Sequence, residues 1–130
     1  MRLFLDDLRT VNMIYPNPNL NEWVVVRDFY QFVNYINKYG LPDYISFDHD
    51  LGMEHTRWYF ENGGHENPPD PSVAEFKEKT GYDAAKWLVD YCVEKGQPLP
   101  LWHVHSHNPI GANNIRTYLK NAEKHLGLGI

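Results

Sequence analysis

Three places in the chain put ionisable side chains directly after short apolar runs. Asp6-Asp7 follow Arg2-Leu3-Phe4-Leu5, Asp48-His49-Asp50 follow Tyr44-Ile45-Ser46-Phe47, and His105-Ser106 close Leu101-Trp102-His103-Val104. Carboxylates crowded together raise one another's pKa, a cost that a hard cation removes. Oxygen donors that leave room for water suit Mg2+ or Mn2+, and a cation held in this way takes a phosphoryl oxygen. Asp6, Asp7 and Asp48 are therefore the candidate metal ligands. One Asp after a strand more often caps a turn, but two acidic clusters on independent strand ends favour a metal site.

The neighbouring residues supply the remaining roles. Asp48 is a ligand or, alternatively, a nucleophile that forms an aspartyl phosphate. Asp50 supports the metal or acts as a base. His49 lies between two acids, and His105 stands at a strand tip beside Ser106; both are candidate acid–base groups, with His105 preferred. His103 shares the face of His105 at a spacing of two and reads as a structural residue. His55, His65 and His125 read as surface groups. Ser106 and Asn108 open a helix whose free N–H groups suit a phosphate. Arg9 offers a bidentate phosphate contact or an ion pair with a nearby acid.

These groups meet only if the elements carrying them are parallel neighbours. The apolar runs 2–5, 23–26, 44–47 and 101–106 read as buried strands. Asp28 and Gln31 form a capping-box pattern ahead of Phe29, Phe32, Val33 and Ile36, and Gly40 closes that helix. Ala84, Ala85, Leu88 and Cys92 mark a second helix from Thr80 to Gly96. Asn108 and Pro109 start a third, with Ile115, Leu119, Ala122 and Leu126 as its inner stripe. Residues 8–21, rich in Asn and Pro, read as loop. Strands alternating with helices predict a mostly parallel four-stranded α/β sheet with helices on both faces. In such sheets ligands bind at the carboxyl ends of the strands, where all three polar clusters sit. Residues 52–79 break the rhythm with Gly63-Gly64 and Pro68-Pro69-Asp70-Pro71. They read as a long loop insertion, with a second capping box at Ser72 and Glu75 and the length of a substrate lid.

Composition narrows the classes. The 130 residues fit one domain, 1–130. The net charge of −5 and the lack of a basic run speak against a protein that coats long nucleic acid, and so against a nuclease with a basic groove. One cysteine, Cys92, excludes an internal disulfide and reads as a core thiol. The first residues are too few for a signal peptide or a membrane span, so the expected compartment is cytoplasmic.

Four segments together carry a resemblance: Leu3-Phe4-Leu5-Asp6-Asp7-Leu8-Arg9, Ile45-Ser46-Phe47-Asp48-His49-Asp50-Leu51-Gly52, Gly81-Tyr82-Asp83, and Val104-His105-Ser106-His107-Asn108-Pro109-Ile110-Gly111. The chain resembles the cyclic-phosphate processing receiver-like family over most of its length outside the insertion. That resemblance implies a small receiver-like (flavodoxin-like) fold in which Asp6, Asp7 and Asp48 hold Mg2+ and Ser106 is the hydroxyl residue after the fourth strand. Response-regulator receivers carry a lysine after a fifth strand. No such strand follows residue 106 here, which speaks against phosphoryl signalling of that kind; Arg9 would replace part of the lysine's charge. The expected function is a metal-dependent phosphoesterase acting on a nucleotide or an RNA-end phosphate, including cyclic ones. The alternative is a non-catalytic module that binds a phosphate-bearing ligand, or docks a protein partner through residues 52–79.

Overall fold

The computed structural model describes residues 1–51 and 79–127. The expected insertion and its Ser72–Glu75 capping box lie almost wholly outside these residues. Four strands are present among them: β1 (Arg2–Leu5), β2 (Trp23–Val26), β3 (Tyr44–Phe47) and β4 (Leu101–Val104). They form one parallel sheet in the order β2-β1-β3-β4. Leu3 and Leu5 of β1 stand beside Ile45 and Phe47 of β3, which in turn stand beside Trp102 and Val104 of β4. Alternation along each strand therefore gathers these side chains on one face. There they pack with α2 (Phe29–Tyr39), α3 (Gly81–Lys95) and α4 (Pro109–His125) through Phe32, Ile36, Leu88, Cys92, Ile115 and Leu119. Burial in this layer pushes the Cys92 thiol up to about 11.

The opposite face carries Phe4, Trp23, Tyr44, Ser46 and His103, and among the described residues its cover is thin. A single-turn helix, α1 (Val11–Ile14), and the side chain of Tyr15 pack on Phe4 and Trp23. Helices thus lie on both faces, as the alternation of elements predicts, but three of them share one side.

Residues 8–21 are not all loop. Besides α1, Leu20–Glu22 form a 3-10 turn in which Asn19 accepts from the Asn21 N–H. Burial of Val11 against Phe4 and Trp23 favours the single turn over the polar composition around it. Asp28 caps α2 as expected, accepting from the Gln31 N–H at 2.8 Å, but Gln31 reaches back to the Arg27 N–H and not to that of Asp28. The reciprocal capping box lies at Thr80 and Asp83 of α3. At the C-terminal end, Leu126 departs from the predicted stripe: it follows the last helical residue and is 55% exposed. β4 stops at Val104, two residues short of its expected end, and Arg116 of α4 donates to the Val104 carbonyl at 3.3 Å. No helix of the described residues is long and apolar enough to cross a membrane.

Candidate functional site

The parallel ladder runs one residue past three strands. Asp6 N–H donates to the Val26 carbonyl, Asp48 N–H to that of Leu5, and His105 N–H to that of Phe47. Asp6, Asp48 and His105 therefore sit in a row at the carboxyl edge of the sheet. The strand order reverses there between β1 and β3, which is where open α/β sheets bind ligands. One carboxylate oxygen from each of Asp6, Asp7 and Asp48 lies within 4.8 Å of the others.

Asp6 is wholly buried and saturated with donors. Its Oδ1 accepts from the Leu8 and Arg9 N–H groups at 2.9 and 2.8 Å, and its Oδ2 from Arg9 Nε at 2.8 Å and His105 Nε2 at 3.0 Å. Burial alone would raise this carboxyl. The hydrogen bonds from His105, Arg9 and Leu8 and the Arg9 charge outweigh it and hold Asp6 well below the usual carboxylate range. Asp48 is nearly as buried; its Oδ1 accepts from the His49 N–H and lies 3.3 Å from Arg9 Nη2.

Arg9 therefore spans Asp6 and Asp48. Its Nη1 is the one buried side-chain polar atom among the described residues that lacks a hydrogen-bond partner. Arg27 fixes the loop beneath, donating through Nη1 to the carbonyls of Asp6 and Arg9 at 3.2 and 2.7 Å.

A cleft of about 340 Å3 opens over this cluster, lined by Asp6, Asp7, Leu8, Arg9, Asp48, Asp50 and His107. All the expected carboxylates and Arg9 meet there, but the histidines are distributed differently from the expectation. The His105 side chain is 1% exposed and both its ring nitrogens are engaged, Nε2 with Asp6 and Nδ1 with Ser46 Oγ at 2.6 Å. His49 Nδ1 lies 2.9 Å from Asp50 Oδ1, and the same oxygen accepts from Asn108 Nδ2 at 3.3 Å. The His49 bond, chiefly, and the Asn108 bond hold the Asp50 carboxyl below its ordinary value. Of His49, His105 and His107, only His107, in the loop after β4, lines the cleft. Ser106 and Asn108 also cap the start of α4: Ser106 Oγ accepts from the Asn108 N–H, and Asn108 Oδ1 from the Gly111 N–H.

Two glycines let helices approach the Asp48–Asp50 loop. A Cβ on Gly111 would stand 2.3 Å from the His49 ring, and one on Gly81 would stand 1.8 Å from the Asp48 carbonyl oxygen. Gly81 N–H also donates to the His49 carbonyl at 2.8 Å. Backbone cannot yield as a side chain can, so Gly81→Ala is expected to displace α3 or the Asp48 loop and cost about 1–3 kcal/mol. Thermal melting checks this; a variant within about 0.5 kcal/mol of wild type would mean that the loop relaxes freely.

Residue types and spacing alone do not reveal Ser46, Tyr15, Arg27, Gly81 or Gly111 as parts of this site. One signal existed: Ser46 is a hydroxyl residue inside an otherwise apolar buried strand. Neither the curated proteins nor the solved structures contain a match to the chain. A family model, the cyclic-phosphate processing receiver domain, matches residues 1–121. That span takes in the row of strand-end residues, the cleft above it and both helix starts that close on it, and the chain accordingly belongs to the cyclic-phosphate processing receiver domain family.

Proposed function

We propose that the chain is a divalent-cation-dependent phosphoesterase acting on a nucleotide or RNA-end phosphate, with a cyclic phosphodiester as the preferred substrate. The observation that carries the reading is the meeting of three carboxylates and the Arg9 guanidinium in one cleft. The family's association with cyclic phosphates supports the substrate class. The donor set, oxygen only and close-set, fits Mg2+ or Mn2+. Asp7 and Asp48 would be the principal ligands, because Asp6 already accepts four hydrogen bonds and serves better to hold Arg9 in place. When bound, the cation would supply positive charge to a phosphoryl oxygen.

The protein's own groups would do the rest. The Arg9 guanidinium, which lines the cleft, would face a second phosphoryl oxygen and help hold the phosphorus over Asp48. Asp50, kept ionised by His49 and Asn108, would orient a water molecule and take its proton as the water oxygen bonds to phosphorus. The bond from phosphorus to the ester oxygen breaks, and His107 would return a proton to the departing oxygen. His105 would serve as a positioning residue through Asp6. The products are a phosphomonoester and a free hydroxyl.

Phosphorus NMR tests this directly. With Mg2+ present, a 2′,3′-cyclic nucleotide incubated with the protein is expected to give way to a monoester resonance, and chelation of the cation should stop the conversion. A cyclic resonance that shifts on binding but persists would establish the non-catalytic phosphate-binding module instead.

A further inference from the structure

The His105 ring belongs to a chain of hydrogen bonds that continues away from the cleft. Ser46 Oγ lies 2.6 Å from His105 Nδ1, Tyr15 Oη lies 2.8 Å from Ser46 Oγ, and Tyr44 Oη lies 3.2 Å from Tyr15 Oη. For a His105 ring that carries one proton, the direction of each proton in this chain follows from its neighbours. The Asp6 carboxylate only accepts, so His105 Nε2 must donate. In a ring carrying one proton, Nδ1 must then accept, and the single Ser46 hydroxyl proton is the one that reaches it. Ser46 is left to accept from Tyr15, and Tyr15 to accept from Tyr44. Burial, chiefly, and the Tyr15 hydroxyl push the Tyr44 phenol up, so that it remains a donor. Ser46 and Asp6 are wholly buried, out of contact with bulk water. Phe4 stacks on the His105 ring at 4.6 Å and 4°, fixing its plane.

We propose that Ser46 and Tyr15 are positioning residues: they lock His105 with its proton on Nε2, and so hold Asp6, and Arg9 through Asp6, in the arrangement the cation site needs. The consequence for the cation rests on the reading given under Proposed function; the consequence for the histidine does not. Groups bonded directly to a metal ligand typically change metal affinity 10–100-fold when lost; Ser46 acts one bond further out, through His105, so the lower end of that range is expected.

The test uses the full chain at one fixed pH, with two readouts: long-range proton–nitrogen NMR of the His105 ring and calorimetric titration with Mg2+. Wild type is expected to carry the ring proton on Nε2. Ser46→Ala should lose this single pattern and bind Mg2+ about tenfold more weakly, and Ser46→Thr, which keeps the hydroxyl, should restore both. Tyr15→Phe keeps the ring and should give a smaller loss of the same kind. A wild-type ring protonated on Nδ1, or a Ser46→Ala variant with the wild-type ring pattern, would overturn the relay. Equal losses in Ser46→Ala and Ser46→Thr would also overturn it, since they would mark Ser46 as space filling. If wild type binds no Mg2+, the cation reading fails, and the ring pattern alone decides the relay.

Discussion

Asp48→Asn is expected to reduce phosphodiester turnover about a thousandfold while leaving the protein folded. The charge stabilisation that a bound divalent cation supplies amounts to several kcal/mol, and at 1.36 kcal/mol per tenfold in rate that is a factor of about a thousand. The amide keeps the size of the side chain and an oxygen that can still accept from the His49 N–H, so the Asp48 loop has no reason to move. What disappears is the negative charge 3.3 Å from Arg9 and one of the three anionic donors. Steady-state kinetics at saturating Mg2+, read beside a melting curve, separates the two effects. An Asp48→Asn protein that turns over at the wild-type rate would remove the basis of the cation-dependent mechanism.

Asp6→Ala should act in the opposite way, through the fold. It leaves two backbone N–H groups, Arg9 Nε and His105 Nε2 without their acceptor inside the protein. Removing one partner of a buried charged pair typically costs about 3–5 kcal/mol, a large part of the stability of a domain this size. Urea unfolding followed by tryptophan fluorescence would register it as a midpoint lowered by about 2 M. The effect also has a pH signature. The Asp6 carboxyl is held below its ordinary value, so its contribution is complete above the usual carboxylate pKa of about 4 and is lost as the pH falls through the folded-state value. The deficit of the variant should therefore be full at neutral pH and shrink in strong acid. A loss below about 1 kcal/mol at neutral pH would mean that water or a local shift satisfies the stranded donors.

The strands and the acids at their ends are legible in the sequence for the same reason. A buried parallel strand is a short apolar run, and its end is marked by the first residues that cannot be buried without partners. Asp6, Asp7 and Asp48 announce themselves in that way. What those acids are bonded to is not legible, because it depends on register. Ser46 pairs with His103 across β3 and β4, and only that alignment sets its hydroxyl beside the next inward-facing residue on that face, His105, 59 positions away. The strand-tip position of His105 makes it the preferred acid–base candidate in the sequence; that its inward alternation and its stacking on Phe4 bury it is seen only in the fold. Gly81 and Gly111 look like ordinary residues near helix starts until the Asp48–Asp50 loop is seen against them. Thr80-x-x-Asp83 was readable as a cap, but the apolar periodicity that follows it draws the eye first.

The placement of Arg9 has a consequence for ion choice. Asp6, Asp7 and Asp48 with the Arg9 guanidinium lodged among them sum, by formal charge, to minus two, and Asp50 adds one more negative charge at the cleft wall. A divalent ion on the three donors would leave the Asp50 charge alone uncompensated, and without Arg9 it would take a trivalent ion to do as well. In the proposed site Arg9 would thus favour a divalent ion by charge alone, before the radius of the ion or the number of its waters enters the comparison.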